Sequence, residues 1–392
     1  MKNKILMILQ SEFPPDIRLE KEITTLSRAG YKVLLFCNSY SKENEKEFSF
    51  CEIKRLNAPF RLRKLNKIIN FPIIINPRFV FSLLFSAKSF NPDFIHAHDL
   101  PMMPFGLLLS KVLKKPIVSD MHENYPAALK TFQKKGILNF IFKNYRAAEI
   151  LEKFCVKRAD RVITVIEENS QRLIGLGVEQ EKIYLVSNTV DLNTFAKKKV
   201  DDRIVKKYEG RFILLYSGFV SPERGLDTVV MGMKYLKDKL PAAKLLIIGD
   251  GIIVPELRNI VVVNHLEGMV EFISWPGHEN LGSYLIIANV GVSPQPNNEH
   301  WNTSIPHKLF EYMSRSIPVI VTDAIPLKRI ILETNAGLYY KTNDPKNFAE
   351  IILEIASSEI NFGKNGVKAV AEKYNWEKDA QTLIEIYNQL NL

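Results

Sequence analysis

Cysteines, long apolar runs and the familiar nucleotide or hydrolase motifs are scarce or absent in this chain of 392 residues. Only three cysteines occur, without a CxxC pair, so neither a disulfide framework nor a structural zinc site is expected. The longest apolar stretch, residues 71–85, contains Pro72, Pro77 and Arg78, and is shorter than the roughly 20 residues of a membrane-spanning helix. No GxxxxGKS/T, GxGxxG, GxSxG or HExxH pattern is present, which argues against triphosphatases, dehydrogenases and common hydrolases.

Acidic residues are missing from residues 53–92, and the basic charge is concentrated in the first half of the chain. The net charge is +10: residues 1–195 carry 30 basic and 20 acidic residues, and the remainder carries 23 of each. The cations of this stretch alternate with apolar residues, and they are Lys54, Arg55, Arg61, Arg63, Lys64, Lys67, Arg78 and Lys88. Such a stripe over residues 54–88 predicts contact with an anionic membrane surface, and a solvated helix face explains it equally well. No nucleic-acid motif accompanies the charge, so no nucleic-acid partner is expected.

Short apolar runs alternate with helical patterns along the chain, of which 46% is hydrophobic. The runs lie at residues 4–10, 32–37, 93–98, 115–120, 161–165, 182–186, 212–217, 244–249, 270–273, 290–293, 318–321 and 338–340. The first run is interpreted as a buried strand and not as a secretory signal. This alternation predicts the α/β class, with parallel sheets that are covered by helices on both faces.

The pattern of alternating strands and helices weakens between residues 189 and 209. The whole chain, with 392 residues, is long enough for two domains. We therefore predict a first domain over residues 1–195, a second over residues 205–370, and a C-terminal helix over residues 371–392 that returns to the first. Ligands of doubly wound sheets bind beyond the carboxyl ends of the strands. Site residues are expected in the segments that directly follow strands.

Residues 290–321 form the most informative segment of the second half. A strand is followed by a polar and aromatic loop, and then by a helix that has Pro306 in its first turn and ends near Ser316. Lys308 and Glu311 share one face of that helix. The free N–H groups at its start and a mobile Lys308 suit a phosphate, and Glu311 suits the two hydroxyls of a ribose. A solvated stripe with an ordinary Lys–Glu pair is the alternative.

Histidines and carboxylates follow two strands of the first domain. His96 and His98 alternate along one strand, so both side chains point to the same face, with His98 at the end of the strand. Asp120, His122 and Glu123 follow the next strand. The alternatives to a catalytic His98 are a pair of structural histidines, or a metal site that includes His122, for which an HxH pattern is weak evidence.

Six stretches, taken in order, resemble the motifs of glycosyltransferase family 4. The donor-binding signature of that family is similar to residues 304–313 followed by residues 317–320. The further matches are residues 215–218 with 224–226 (phosphate turn), 246–251 (strand with a GDG turn), 187–191 with Phe195 (hinge), and the first-domain motifs at 93–98 and 120–123. The resemblance covers nearly the whole chain.

This resemblance implies a GT-B fold, which has two tandem doubly wound Rossmann-like domains with an inter-domain crevice. It also implies a nucleotide-sugar donor, no metal or other cofactor, and retention of anomeric configuration. The expected function is sugar transfer to a saccharide or lipid-linked acceptor in cell-surface polysaccharide or glycolipid synthesis, in the cytoplasm or at the inner face of the cell membrane. A nucleotide-sugar 2-epimerase on the same fold and a non-catalytic binding module are the alternatives.

The family's roles carry over residue by residue to both domains. The expected donor-binding residues are Gly218, Arg224, Gly249, Asp250, Gly251, Thr303, Ser304, Ile305, Lys308 and Glu311. The expected catalytic residues are His98, Arg224 and Lys308, of which the two cations would meet the negative charge that grows on the leaving diphosphate. On the acceptor side the expected residues are Asp16, Arg18, Asp120, His122 and Glu123.

The chain departs from the commoner family pattern in three places. Thr303 stands where a glutamate is usual, and Phe219 stands where the phosphate turn has an arginine. Residues 14–18, Pro-Pro-Asp-Ile-Arg, stand where paired glycines are common. Arg18 is therefore a candidate to reach the phosphates, and an exposed helix arginine is the alternative.

Overall fold

The computed structural model describes residues 3–39, 48–57, 77–131, 144–192, 200–277 and 280–391. They form two compact units. The first unit contains the chain up to residue 187 together with residues from 379 onward, and the second contains residues 188–378. The start of the second unit therefore precedes the stretch of weakest periodicity in the sequence.

A seven-stranded parallel sheet forms the centre of the first unit, in the order β3-β2-β1-β4-β5-β6-β7. The strands are β1 (Lys4–Ile8), β2 (Lys32–Ser39), β3 (Glu52–Asn57), β4 (Phe94–His98), β5 (Ile117–Met121), β6 (Arg161–Thr164) and β7 (Ile183–Leu185). The helices are α1 (Ile17–Arg28), α2 (Pro77–Phe90), α3 (Asp99–Leu113), α4 (Tyr125–Thr131), α5 (Tyr145–Val156) and α6 (Glu167–Gly175).

Every residue of β4 and β5 is buried, as is typical of central parallel strands with helices on both faces. One core of the first unit lies between the sheet and helices α2, α3 and α5. Its members include Leu6, Phe36, Phe79, Leu83, Ile95, Leu100, Met103, Leu109, Ile117, Ala148, Cys155 and Val162. The residues of β4 that carry chemistry therefore stand on a rigid, fully packed strand.

A six-stranded parallel sheet forms the centre of the second unit, in the order β10-β9-β8-β11-β12-β13. The strands are β8 (Phe212–Ser217), β9 (Ala243–Ile248), β10 (Val270–Ile273), β11 (Val290–Ser293), β12 (Val319–Thr322) and β13 (Gly337–Tyr340). The helices are α7 (Asp202–Lys207), α8 (Leu226–Leu236), α9 (Val254–Val263), α10 (Gly282–Ile286), α11 (His307–Ser314), α12 (Ile325–Thr334), α13 (Pro345–Ser357) and α14 (Phe362–Glu372). The last helix, α15 (Trp376–Leu390), contributes most of its length to the first unit.

The strand predictions are confirmed to within two residues, and one strand was missed. Strand β3 has the sequence EIKRLN and pairs with β2 alone, at the edge of the sheet. Edge strands tolerate charged side chains, so its apolar pattern is weak. Lys54 and Arg55 therefore lie on an edge strand and not on a helix, which corrects the interpretation of residues 54–88 as one stripe. Arg78 and Lys88 lie on α2, and the intervening residues 58–76 fall outside the described ranges.

The three cysteines are unpaired, as expected. Cys37 and Cys155 are buried, and burial raises the pKa of Cys37 to about 11 and that of Cys155 to about 12. Among the described residues, no helix combines the length and the apolar character that crossing a bilayer requires.

Candidate functional site

The order of the strands reverses at one point in each sheet. Predicted site residues follow the strands at these two points. The first sheet reverses between β1 and β4, and the second reverses between β8 and β11. Loops diverge at such points and leave room for a ligand beyond the strand ends. His98 ends β4 and Gly218 follows β8, so each unit places predicted site residues at its own reversal point.

Two cations of the second unit lie against aromatic rings. Nζ of Lys308 is 3.5 Å from the ring centre of Tyr216, and the guanidinium carbon of Arg224 is 4.7 Å from the ring of Trp301. Lys308 is only 8% exposed, and neither its Nζ nor Nε of Arg224 has a hydrogen-bond partner among the described residues. Buried cationic groups without an acceptor are unfavourable, so this pair of side chains suits an anionic ligand.

The charge of Lys308 depends on such a ligand. Burial lowers the pKa of Lys308 well below its ordinary value, Arg224 lowers it further by repulsion, and Glu311 opposes both. The sequence predicted a mobile positive charge at Lys308, with a solvated stripe as the alternative. Both are corrected by the structure, because Lys308 belongs to the buried face of α11. Glu311 is only partly buried, on the same helix.

Three predicted glycines come together where β8 and β9 end. Gly218 and Gly249 have φ angles of +135° and +138°, which favour glycine. A Cβ on Gly249 would lie 2.1 Å from the carbonyl oxygen of Gly218, and a Cβ on Gly251 would lie 1.8 Å from that of Val220. A Cβ on Gly218 would lie 3.2 Å from Nζ of Lys308, so the bare backbone here adjoins the buried amine.

Asp250, in the same turn, has a structural contact. Its Oδ2 accepts a hydrogen bond of 3.2 Å from the backbone N–H of Trp275. The backbone N–H of Val220 in turn donates to the Asp250 carbonyl at 3.0 Å. Phe219, which replaces the usual arginine, is 57% exposed and adds no charge to the turn.

Helix α11 begins at His307, later than predicted, and it ends at Ser314. Pro306 is the residue before the helix and not part of its first turn, with φ −81° and ψ 137°. Ser304 before it is extended and buried. The helix N-terminus therefore lies just after Pro306, which was predicted to stand in the first turn.

The residues that precede α11 are held by local hydrogen bonds. Oγ1 of Thr303 donates to the carbonyls of Glu299 and His300, at 2.9 Å and 3.2 Å, so this side chain does not replace the missing carboxylate. The carbonyl of Ile305 accepts from Nδ2 of Asn188 at 3.0 Å. These contacts fix the loop that leads from β11 to Lys308.

In the first unit, Asp16 and Arg18 have roles within the protein. The Asp16 carboxylate accepts the N–H of Leu19 at 3.1 Å and caps α1. Arg18 is only 3% exposed, so the exposed helix arginine considered from the sequence is wrong. Its Nε lies 2.9 Å from Glu22 Oε1, and its NH2 donates to Asp120 Oδ1 at 2.9 Å.

Asp120 is the centre of a buried cluster at the ends of β4 and β5. Its Oδ2 lies 3.1 Å from His122 Nε2, 3.4 Å from His98 Nδ1 and 3.5 Å from His96 Nε2. The rings of His96 and His98 are stacked, with centroids 4.3 Å apart, so the prediction that they share one face is confirmed. His98 is 1% exposed, and its Nε2 has no hydrogen-bond partner among the described residues.

The imidazoles of this cluster differ in charge because their neighbours differ. Burial and the adjacent His96 lower the pKa of His98 to about 3. Burial opposes the charged form of His122 as well, but Asp99 and Asp120 outweigh it and raise the pKa of His122 to about 10. His98 is therefore a neutral hydrogen-bonding group near neutral pH, and His122 is an imidazolium.

Asp99 was not predicted from the sequence, although it contacts His122 twice. Its Oδ1 accepts the backbone N–H of His122 at 3.2 Å, and its Oδ2 lies 3.4 Å from His122 Nδ1. Its φ is +61°, a left-handed conformation that is rare outside glycine and is often found at functional sites. The signal in the sequence that could have identified Asp99 is its position directly after His98.

Glu22 and Tyr387 were also missed, for different reasons. Glu22 is four residues after Arg18, a spacing typical of helix ion pairs, so the sequence contained a signal. The hydroxyl of Tyr387 on α15 lies 2.6 Å from Nδ1 of His96, across 291 residues of chain, which no local pattern reveals. Of the other acceptor-side predictions, His122 and Glu123 are half-buried and Asp120 is fully buried.

Four side chains of the cluster could hold a metal ion by distance alone. One ligand atom each from Glu22, His96, His98 and Asp120 lies within 4.8 Å of the others. The guanidinium of Arg18 already contacts both carboxylates; it balances the charge of Asp120, and the raised pKa of Glu22 favours the neutral form of that group. This charge balance favours a hydrogen-bonded network over a metal centre.

Comparison with known families gives matches across both units. The family described as Glycosyltransferase Family 4 matches residues 21–194, and that described as Glycosyl transferases group 1 matches residues 197–385. An uncharacterized glycosyltransferase of Methanocaldococcus jannaschii is 25% identical over 76% of this chain and 76% of its own length. A capsular polysaccharide biosynthesis glycosyltransferase, CapM of Staphylococcus aureus, is 22% identical over 62% of this chain and 65% of its own.

Solved structures share the fold. The sucrose-phosphate synthase of Thermosynechococcus elongatus superposes with a TM-score of 0.80, at 20% identity, covering 100% of this chain and 99% of its own. Anabaena HepE, in complex with UDP and glucose, gives a TM-score of 0.73 at 17% identity, covering 99% and 100%. The relatives found are glycosyltransferases, so the epimerase and the non-catalytic module are not favoured.

Proposed function

The chain belongs to glycosyltransferase family 4, with a second unit of the glycosyl transferases group 1 type, and from this premise we propose a specific reaction. The protein transfers a sugar from a nucleoside-diphosphate sugar to a saccharide or lipid-linked acceptor, with retention of anomeric configuration. The second unit binds the nucleotide and its phosphates, and the first unit binds the acceptor. The product belongs to a cell-surface polysaccharide or glycolipid.

The pair of aromatic-stacked cations in the second unit is the observation that carries this proposal. Lys308 and Arg224 lie near the end of β8, where the bare backbone of Gly218 adjoins the lysine amine. A diphosphate supplies the anionic oxygens that these donors lack within the described protein. Because charge on the leaving diphosphate increases in the transition state, both cations stabilise that state more than the ground state.

The reaction needs no dedicated protein base. In a retaining transfer the acceptor hydroxyl attacks the face from which the leaving group departs, and a phosphate oxygen of the donor accepts the hydroxyl proton. The neutral state of His98 supports a hydrogen-bonding role toward the donor sugar. It does not support a role as general acid.

A thermal-shift screen against UDP, GDP, ADP and their hexose conjugates, with EDTA or with Mg²⁺, tests donor binding. We expect one nucleotide series to raise the melting temperature equally in both conditions, because a ligand of the native state stabilises it. No shift with any conjugate would contradict the proposal. A shift that occurs only with Mg²⁺ would contradict the expectation that donor binding needs no metal.

Substitution of Arg224 and Glu311 by alanine tests the assignment of the second unit. Loss of either side chain is expected to weaken donor binding at least about tenfold, which corresponds to roughly 1.4 kcal/mol. Calorimetric titration measures this, with exposed Glu267→Ala in the same unit as control. Unchanged affinity in R224A and E311A would refute the assignment.

We propose further that the first unit binds an anionic membrane surface through α2. The exposed residues of this helix include Arg78, Phe81, Phe85 and Lys88, spaced as one stripe, and the helix contains no acidic residue. Phe81 and Phe85 are 72% and 75% exposed. A cationic stripe with protruding aromatics suits the inner face of a cell membrane, where a lipid-linked acceptor would be presented.

Flotation with vesicles of phosphatidylglycerol and phosphatidylcholine tests this surface. The wild-type protein is expected to float with anionic vesicles at low salt, and F81S/F85S is expected to lose most of this binding. A second variant, I252S/V263S, removes two comparably exposed apolar residues of the second unit and is expected to bind normally. Equal flotation of both variants would contradict the role of α2.

A further inference from the structure

Arg18 connects three parts of the first unit. It lies on α1, its NH2 contacts Asp120 at the end of β5, and its NH1 donates to the Val186 carbonyl at 2.9 Å. All of these contacts are buried. The sequence predicted Arg18 as an acceptor-side residue or a phosphate contact, whereas in the structure its guanidinium contacts Glu22, Asp120 and the Val186 carbonyl.

The two oxygens of Asp120 face different partners. Oδ1 accepts from Arg18, whereas Oδ2 is directed at the three imidazoles of His96, His98 and His122. Of these three, His122 is paired with a second carboxylate, Asp99. Arg18 is thus the cation that balances Asp120 on the side away from the histidines.

We propose that Arg18 is a positioning residue, which keeps the stacked imidazoles of His96 and His98 uncharged and in place by neutralising Asp120. The proposal rests on the proposed function only where it concerns catalysis by His98. Its central claim concerns the charge of two side chains, and this can be measured without any substrate.

The charges around the pair are consistent with this role. Burial would raise the pKa of Asp120, but Arg18 and then His122 outweigh it and hold that pKa well below its ordinary value. Burial and Asp120 raise the pKa of Glu22 well above its ordinary value, which favours its protonated form. The groups that surround the pair are Arg18 and Glu22 on α1, Asp99 on α3, Asp120 and His122 at the end of β5, and Tyr387 on α15.

Removal of Arg18 leaves one uncompensated negative charge in the cluster. His122 already carries a proton and is shared between Asp99 and Asp120, so it cannot take another. The nearest uncharged bases are His96 and His98, at 3.5 Å and 3.4 Å from Asp120. One of them is expected to become an imidazolium, because an adjacent carboxylate favours the charged form.

Histidine-selective ¹⁵N NMR between pH 5.5 and 8.5 tests the proposal, with H96Q and H98Q used to assign signals. In the wild-type protein, His98 is expected to stay neutral throughout, and His96, whose pKa is also lowered by burial, is expected to titrate below the ordinary 6.5. In R18Q, one of the two is expected to move from the low pKa of the wild type, about 3 for His98, to above the ordinary 6.5. A folded R18Q in which both stay neutral at pH 5.5 overturns the proposal.

Three companion variants separate charge from packing. R18K keeps the cation and is expected to keep both imidazoles neutral. E22Q imitates the protonated carboxyl of Glu22 and is expected to do the same. R18Q/D120N removes both charges and is expected to restore neutrality, whereas a persisting imidazolium in this double variant would overturn the proposal.

If R18Q does not fold, the titration of the wild-type protein still tests the proposal. Titration of both His96 and His98 near the ordinary value in the unmodified protein would overturn the proposal without any variant. Kinetic measurements give a separate result. The pH below which kcat declines is expected to be higher in R18Q than in the wild-type protein, with an unchanged KM for the donor. Absence of any transferase activity would count against the proposed function alone and would leave the NMR result intact.

Discussion

Lys308 illustrates how packing decides the chemistry of a single side chain. The sequence placed it on a helix with Glu311 and predicted a mobile positive charge that suits a phosphate. In the structure its stem is enclosed, and its Nζ lies over Tyr216 beside Gly218. An amine in that position is driven toward its neutral form until an anion arrives.

Donor binding should therefore be accompanied by proton uptake at Lys308. The diphosphate raises the pKa of Lys308, which burial and Arg224 hold low in the empty site. Affinity is then highest at low pH and falls as the pH rises from the pKa of the free site to that of the complex. Calorimetry with UDP-glucose, or with whichever conjugate the screen identifies, in HEPES and in Tris at one pH should reveal uptake of up to about one proton.

The diphosphate of the sugar conjugate does not titrate near neutral pH, so the protein must take up the proton. The variant K308R, whose guanidinium is always charged, should show no uptake. Identical binding enthalpies of the wild-type protein in the two buffers would argue against a neutral Lys308.

At the scale of elements, the backbones of the turns that follow β8 and β9 pack directly against each other. This contact explains why glycine occurs at Gly249 and Gly251, and it holds the turn close to Lys308. The motif resemblance identified the glycines as donor-binding residues. The structure adds a purely steric reason for two of them, which is independent of any ligand.

Gly251→Ala should destabilise the second unit. Its Cβ would lie 1.8 Å from the Val220 carbonyl oxygen, which belongs to the backbone and cannot move aside cheaply. Overpacking of this kind costs about 1–3 kcal/mol or more. Urea unfolding measures the change, and Gly268→Ala is the matched control, because its Cβ would meet no atom within 4 Å. A G251A protein as stable as G268A would show that the turn relaxes freely.

At the scale of the whole molecule, the last residues of the chain complete the first unit. Leu383, Ile386 and Tyr387 of α15 are fully buried, and Tyr387 contacts His96 through its hydroxyl and Phe94 through its ring. Folding of the first unit therefore requires segments that are almost 300 residues apart in sequence. This architecture links the C-terminus directly to the histidine cluster.

Tyr387→Ala should destabilise the first unit by about 3–5 kcal/mol, the range for removal of a buried aromatic ring. Differential scanning calorimetry measures the change as a lower melting temperature. Gln381→Ala, exposed on the same helix, should change stability by less than about 0.5 kcal/mol. Equal melting of both variants would contradict a structural role for the end of α15.

The sequence by itself determined the α/β class, the parallel strands and the glycosyltransferase family, because apolar periodicity and motif order are local properties. It also predicted Lys308, Arg224 and His98 as catalytic residues, an assignment that the variants proposed above would test. It missed β3, since an edge strand buries too little to show a clear pattern.

Only the tertiary structure decided what surrounds each of these residues. The burial of Arg18 between Glu22 and Asp120, the ring beneath Lys308 and the contact from Tyr387 to His96 all join separate elements. Charge state depends on burial and on neighbours within a few ångströms, and neither is a property of local sequence. For that reason the neutral His98, the charged His122 and the role of Arg18 emerge only once the chain is folded.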